Sequence, residues 1–599
     1  MMDSEALVAE AAKWRDRDPD PLTRAELARL VDRRDVEGLR ARFEGTLAFG
    51  TAGIRAELGA GPLRMNRLVV ARVAVGLARH LDDRASGGAG ARVTIGYDGR
   101  SGSAVLAADA ARVLGRGGVA VWLLPRALPT PVLAFSVRHL HADLGLMVTA
   151  SHNPRTENGL KLYVRDGGQL LPPLDSEIAA AIGTVDLDSL PDGWWEGPCA
   201  WEIADGVVDA YVEAITRATR PGPQPQPRSS SLVVVHTALH GVATETLRSV
   251  MAAGGWPPPL SVTREADPDP AFPGMPFPNP EEPGVLDGAR STAEALHADL
   301  VVANDPDADR LAVMVPGPEG FERLSGDEVG ALLADDVLTR LEGAGSTRGG
   351  PVGRGTTAPV VATTVVSGSL LRKMADRAGV RCVTTLTGFK WIVRAAGPDA
   401  RLVYGYEEAL GYAVRPDVVA DKDGISAGLL AVELADAAKR AGRTLRDRLD
   451  ELALVHGLHV TCQRALRIDD LPRSEGMGQL VRALEHVRRA PPRELAGGAV
   501  TVTDLLEEHP GAVDLAGGTA ERWPGCPIEP ANVLVWHVGA DARVVLRPSG
   551  TEPKLKIYVE VADIAEHLSE LTERRAAGSA RAEQLASAAI TALGVVPGA

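Results

Sequence analysis

Three aspartates stand at alternate positions in Asn304-Asp305-Pro306-Asp307-Ala308-Asp309-Arg310. Carboxylates so crowded repel one another unless a cation sits among them, and an all-oxygen donor set suits a hard ion, Mg²⁺ or Ca²⁺. The calcium EF-hand loop is excluded, because counting from Asp305 the sixth residue is Arg310 where that loop has glycine, and the twelfth is Pro316 where it has glutamate. Three carboxylates without a fuller cage fit Mg²⁺ completed by phosphate or water. The run is boxed by Leu300–Ala303 and Leu311–Val315, so it is a turn between apolar strands rather than an acidic tail.

A second stretch, Thr149–Tyr163 (TASHNPRTENGLKLY), follows the apolar run Ala142–Val148 and sets Ser151 beside His152 among turn-forming residues. A hydroxyl exposed at a strand end can be a surface group, a helix cap or a nucleophile, and these residues alone leave all three open. Farther on, Arg547-Pro548-Ser549-Gly550-Thr551 offers side-chain and backbone donors around a glycine, a cradle for an anion. In the following strand Lys554, Lys556 and Tyr558 alternate with Leu555, Ile557 and Val559, so two cations share a face beside that cradle. Gly405-Tyr406-Glu407-Glu408-Ala409-Leu410-Gly411 presents paired carboxylates able to accept hydrogen bonds from vicinal sugar hydroxyls, and Thr387, Gly388 and Lys390 add a hydroxyl and a cation. Gly50-Thr51-Ala52-Gly53-Ile54-Arg55 is a glycine-rich turn ending in arginine, and Asp98-Gly99-Arg100 follows a strand.

Lysine is scarce: eight of the 64 basic residues. Five of the eight fall in such stretches: Lys161, Lys390, Lys554 and Lys556 in these motifs, and Lys422 in Asp421-Lys422-Asp423-Gly424. A lysine can shift its pKa and move protons where arginine stays charged.

The elements that must position these groups alternate as in a parallel α/β sheet. One or two helices are expected over residues 3–45 with a turn at Asp18–Pro21, then a helix from Leu68 to about Leu81, and strands at Arg92–Tyr97, Val119–Leu124 and Leu144–Val148. After a Pro/Ser-rich linker at 221–231 the rhythm returns with strands at Leu232–Val235 and Asp299–Ala303. A third block, 326–460, holds a Gly-rich loop at 343–356, and the last block has strands at Ala531–Val538, Val544–Leu546 and Leu555–Val559 before an alanine-rich helix. The divisions are thus a helical extension 1–45, α/β domains 46–205, 206–325 and 326–460, and an α+β domain 461–599. Each chemical motif follows an apolar strand, where parallel sheets build their ligand clefts.

The whole chain excludes several classes. At 599 residues it is too long for one core, and its net charge of −15 argues against nucleic-acid or membrane-surface binding. No apolar run reaches membrane-spanning length, the N-terminus lacks the pattern of a secretory signal, and Cys199, Cys382, Cys462 and Cys526 form no CxxC pair, so a cytoplasmic protein without disulfides is expected. No lysine follows a glycine, so there is no Walker A loop, and no strand leads into GxGxxG.

Ser-His-Asn-Pro, Asp-Pro-Asp-Ala-Asp-Arg, Gly-Tyr-Glu-Glu and Arg-Pro-Ser-Gly-Thr, in this order, resemble the α-D-phosphohexomutase superfamily over nearly the whole chain. The segments FGTAGIR, TLTGFKWI, GYEEALGY and DKDGISA look most like its branch of phosphopentomutases, glucose-1,6-bisphosphate synthase and many bacterial phosphoglucomutases and phosphomannomutases. The resemblance implies an α/β protein of four domains around a central cleft, three related α/β units with mainly parallel sheets and a C-terminal α+β domain. It implies a phosphoserine at Ser151 that, with Asp305, Asp307 and Asp309, holds one Mg²⁺. Lys161 would carry protons with a depressed pKa, and His152, Arg55 and Arg310 would stand by the transferring phosphate. Glu407 would grip sugar hydroxyls, and Arg547, Ser549, Gly550 and Thr551 would clamp the distal phosphate. The implied reaction moves a phosphoryl group between C1 and C6 of a hexose phosphate through a sugar bisphosphate, in a monomer or homodimer. Many relatives carry serine where this chain has Ala409, which leaves pentose phosphates open; a phosphotransferase that makes a sugar bisphosphate would carry the same motifs and stays open as well.

Overall fold

The computed structural model describes residues 3–47, 53–84, 90–190, 193–197, 201–219, 230–343, 357–467, 473–506, 531–548 and 554–594. Gly50, Thr51, Ser549, Gly550, Thr551, most of the 221–231 linker and nearly all of the 343–356 loop lie outside the described residues. Contacts divide the chain into two units, Met1–Arg323 with Gly411–Asp436, and Leu324–Leu410 with Ala437–Ala599.

The first unit opens with three helices, Ser4–Arg17, Pro21–Asp32 and Val36–Phe43, rather than one or two. The break before the third comes from Arg34, which turns left-handed at φ 49°, and from Asp35, whose carboxylate caps the new helix by accepting from Gly38 N. Leu7, Ala11, Trp14, Leu27, Leu39 and Phe43 from these helices join the core of the sheet that follows. The extension is therefore part of the first domain's interior.

That sheet has six strands in the order Ile54–Glu57, Glu157–Val164, Leu144–Val148, Arg92–Tyr97, Ala120–Leu123, Trp201–Ile203. Its last four are parallel, and Glu157–Val164 runs antiparallel to both neighbours. Leu144–Val148 is buried throughout, as an unbroken apolar run demands of a central parallel strand. A second sheet runs Gly320–Arg323, Ala312–Gly317, Leu300–Ala303, Val234–Thr237, Leu260–Ser261. Its central pair, Val234–Thr237 and Leu300–Ala303, is parallel, and the strands after the aspartate turn are antiparallel. Leu300–Ala303 is also wholly buried, so both reactive loops leave central strands.

In the second unit Arg381–Thr385, Ala358–Thr364 and Ala400–Glu407 form a parallel sheet. The C-terminal sheet is antiparallel: Leu458–Arg467, Lys554–Asp563, Ala542–Pro548, Leu534–Val538, Gly498–Asp504 and Glu494–Leu495. The closing helix Leu568–Ala592 buries Leu571, Gly578, Ala582, Leu585, Ala586 and Ala589 at helical spacing. The α/β character, with three α/β domains and a distinct C-terminal domain, is as the sequence predicts. Among the described residues no helix is long and apolar enough to cross a membrane.

Candidate active site

The end of strand Leu144–Val148 places Ser151, but not as an exposed hydroxyl. Ser151 is 1% exposed and sits in the left-handed region at φ 55°, a conformation that costs a non-glycine residue about 1–2 kcal/mol. Its surroundings over-determine it. Ser151 N donates to Thr149 Oγ1 at 2.8 Å, and Thr149 Oγ1 donates to Asp98 at 2.6 Å. The buried Arg100 guanidinium gathers the loop from beneath, donating to the carbonyls of Ser151 and Asn153 at 2.6 Å, Pro154 at 2.9 Å and Glu157 at 3.1 Å. Arg55 reaches the same loop by donating to Asn153 Oδ1 at 2.7 Å.

Ser151 Oγ donates to Asp305 at 2.8 Å and lies 3.1 Å from His152 Nδ1. The nucleophile candidate and the carboxylate turn, 154 residues apart, thus meet directly. Asp305, Asp307 and Asp309 are buried, with one oxygen of each within 4.8 Å of the others. Ala308, at φ 58°, closes the turn that brings them together. Burial and its two neighbours push the Asp305 carboxyl well above the usual range. For Asp309 burial acts the same way but is outweighed by Lys161, Lys422 and Arg310, so its pKa falls. Thr130 Oγ1 donates to Asp307 at 2.6 Å, and Lys161 Nζ lies 2.7 Å from both Asp307 and Asp309. One oxygen of Asp307 and one of Asp309 are buried with no hydrogen-bond partner. Orphaned carboxylate oxygens in an all-oxygen cluster fit a hard cation.

Lys161 corrects an expectation. Burial alone would depress its pKa, but Asp307 and Asp309 outweigh burial and raise it, so the depressed value expected of Lys161 is not found beside these two carboxylates. His152 moves the other way: burial, then Arg310 and Arg55, push its pKa well below the ordinary value. Arg310 approaches from beside the turn, 3.9 Å from Asp309, 4.0 Å from Asp305 and 3.4 Å from Glu281. Asn304 ties the turn to its neighbour strand by donating to Arg310 O at 2.8 Å while its Oδ1 lies 3.1 Å from His236 Nε2.

The structure therefore brings Ser151, His152, Lys161, Asp305, Asp307, Asp309, Arg55 and Arg310 together in one unit. The supporting roles of Arg100, Thr130 and Glu281 were not read from the sequence, since no spacing links them to the loops they hold. Lys422, 3.5 Å from Asp309, was signalled by the scarcity of lysine.

The other candidates lie in the second unit. Gly388, at φ 116°, precedes the short helix Phe389–Ile392, with Thr387 before it and Lys390 5.5 Å from the Trp391 ring centre. Glu407 ends strand Ala400–Glu407, and Glu408 accepts from Ser367 at 3.0 Å and Thr364 at 3.2 Å. Arg547 and Lys556 are direct cross-strand partners, and like charges in that position oppose each other unless an anion lies between them.

Four family descriptions match in succession: phosphoglucomutase/phosphomannomutase domain I over residues 46–188, domain II over 209–318, domain III over 325–454 and the C-terminal domain over 502–577. The chain is 38% identical over 503 residues to a "Probable phosphomannomutase" of Haemophilus influenzae, covering 83% of this chain and 93% of that one. It is 32% identical over 570 residues to a phosphopentomutase of Mus musculus, covering 92% and 90%. A solved phosphoglucomutase/phosphomannomutase family protein from Burkholderia thailandensis shares the fold at TM-score 0.61 and 20% identity, over 90% of this chain and 97% of that one. The fold and the serine–aspartate site define a phosphosugar mutase, an isomerase that transfers phosphoryl groups within its substrate. The chain belongs to the phosphoglucomutase/phosphomannomutase family.

Proposed function

We propose that the protein interconverts the 1- and 6-phosphates of a hexose, glucose first and mannose second, through a phosphoserine at Ser151 and a sugar 1,6-bisphosphate. The observation that carries this reading is the 2.8 Å hydrogen bond from Ser151 Oγ to Asp305 within the buried triad. In the forward half, the P–O bond at Ser151 Oγ breaks and a new one forms to the sugar hydroxyl, whose proton is lost as Ser151 regains one. The bisphosphate reorients, and the other phosphoryl group returns to Ser151. On that return the Ser151 proton passes to neutral His152, whose Nδ1 lies 3.1 Å from Ser151 Oγ and is not among the groups assigned to the cation. Asp305, Asp307 and Asp309 would hold Mg²⁺, which when bound neutralises charge on the transferring oxygens. Arg55 and Arg310 are placed to stabilise the same charge, groups of a kind worth about 3 kcal/mol each. Lys161 balances the triad. Glu407, with Thr387, Gly388 and Lys390, would recognise the sugar, and Arg547, Lys556, Ser549, Gly550 and Thr551 the distal phosphate.

A pentose phosphate is the second reading. The relative named phosphopentomutase aligns over 92% of this chain, and Ala409 lacks the hydroxyl of the serine that many relatives carry there. The test is initial rates with Mg²⁺ and a trace of the matching bisphosphate on α-glucose 1-phosphate, α-mannose 1-phosphate and ribose 1-phosphate. A hexose preference of about tenfold, or about 1.4 kcal/mol in transition-state binding, supports the first reading. The reverse ratio supports the second, and accumulation of bisphosphate would overturn both in favour of a phosphotransferase.

A further inference from the structure

The loop 365–369 is tied down far more heavily than a connection between a strand and a helix requires. On one side it holds Glu408: Ser367 Oγ donates to the carboxylate at 3.0 Å and accepts from Glu408 N at 3.2 Å. On the other it is gripped by the C-terminal sheet. The buried Arg543 guanidinium donates to the carbonyl of Val365 at 3.2 Å and to that of Ser367, and its Nε donates to Glu560 at 2.8 Å. Glu560 accepts in turn from Ser369 N at 2.7 Å and Ser369 Oγ at 2.8 Å, with His459 Nδ1 2.8 Å from the same oxygen. Asp327 adds a second tie, accepting from Gly368 N at 2.7 Å, Tyr406 OH at 2.9 Å and Thr461 Oγ1 at 2.9 Å. Val365 and Val366 pack with Val535, Val545 and Tyr558 of the same sheet.

A buried ion pair is weak as a source of stability, because desolvation offsets its attraction. A satisfied network specifies geometry instead. The register says which geometry. Arg543 and Glu560 are cross-strand partners on the hairpin of strands Ala542–Pro548 and Lys554–Asp563, and Arg547 and Lys556 are partners on the same two strands. The pairs are four residues apart along each strand, hence on one face and about 13 Å apart at 3.3 Å per residue. One face of one hairpin therefore carries both the clamp on the Glu408 loop and the cation pair. Lys556 opposes the rise in the Glu408 pKa that burial causes, so the two ends are within electrostatic reach.

We infer that Ser367, Arg543 and Glu560 are positioning residues that fix Glu408, and with it the adjoining Glu407 at the end of strand Ala400–Glu407, at a set distance from the Arg547–Lys556 cation pair, so that the second unit selects ligands by the spacing between hydroxyls and phosphate. This rests on the assignment of sugar and phosphate recognition to that unit. The ligand class it defines is a phosphorylated polyol of fixed length.

The test uses the full chain with Ser151→Ala, which cannot turn over, and titrates α-glucose 1-phosphate and inorganic phosphate separately by calorimetry. Ser367→Ala and Arg543→Lys, the latter unable to bridge two carbonyls and a carboxylate, should weaken sugar phosphate binding at least fivefold. Both should leave phosphate binding within twofold. Ser367→Thr, which keeps the hydroxyl, should hold both affinities within twofold. Equal losses for the two ligands would mean a merely structural role and overturn the inference, as would unchanged affinity in Ser367→Ala. If Arg543→Lys fails to fold, Ser367→Ala alone decides. If the Ser151→Ala protein itself does not prefer sugar phosphate to phosphate, the recognition assignment fails, and the inference with it. Preference retained there but insensitive to the variants rejects the inference alone.

Discussion

Ser151 is the residue proposed to carry the phosphoryl group, and its burial changes what its neighbours must do. A buried hydroxyl at positive φ is aimed by Arg100, Thr149 and Asp98, not by rotamer preference in water. Ser151→Ala should lower kcat by a factor on the order of 10⁴ or more, since Thr130 Oγ1, the other hydroxyl that reaches the triad among the described residues, is committed to Asp307. Steady-state assays with bisphosphate supplied will check this, and activity near wild type would refute the phosphoserine route. Arg547→Ala removes one charged hydrogen-bond donor, a change of about 1.5–3 kcal/mol. It should raise KM by roughly one to two orders of magnitude with kcat little changed, because the distal phosphate is held alike in ground and transition states.

Among the elements, the strand pairs that carry the loops are sensitive at a few backbone contacts. Gly159 has no room for a side chain: a Cβ there would lie 2.4 Å from Ile54 O and 2.8 Å from Thr149 O. Both atoms are backbone and cannot swing aside. Gly159→Ala should therefore cost about 2 kcal/mol or more in urea unfolding and displace the Ser151 loop, lowering kcat as well. In strand Val234–Thr237, His236 is buried and neutral, its pKa lowered to about 4 by burial. The unfolded chain binds a proton below pH 6.5 that the folded chain refuses until about pH 4, so stability is full above 6.5 and falls as pH drops through that window. The loss approaches about 3 kcal/mol at its lower end. Urea midpoints between pH 7 and 4 should show this slope, and His236→Gln, whose amide does not titrate, should flatten it.

For the whole molecule, the chain order and the contact units do not coincide. Residues 411–436 lie within the third sequence block yet belong to the first unit, where Tyr163 donates to Asp421 at 2.8 Å, Tyr211 donates to Asp423 at 2.9 Å, and Gly424 N donates to Ala308 O at 3.2 Å beside the triad. A cation at Asp305, Asp307 and Asp309 would therefore link the serine loop, the aspartate turn and this returning segment. Mg²⁺ at one hundred times its Kd should stabilise the folded protein by about 2.7 kcal/mol, raising the melting temperature, and chelation should reverse the rise. Asp307→Asn should abolish the shift. An equal shift in that variant would place the metal elsewhere.

The sequence by itself determined the α/β class, the three carboxylates as a candidate cation site, and the loops that carry Ser151, Glu407 and Arg547, because short-range spacing and boxed apolar runs are local facts. It also marked Lys422 through the scarcity of lysine. The tertiary structure alone decided the burial of Ser151, the upward pKa shift of Lys161, the contacts of Arg100, Thr130 and Glu281, and the clamp of Arg543 and Glu560 on the Ser367 loop. Arg100 meets Ser151 across 51 residues, Lys161 meets Asp307 across 146 and Thr130 meets Asp307 across 177, each at hydrogen-bond distance. Burial, pKa and pairing are properties of such meetings, and no periodicity or motif encodes them.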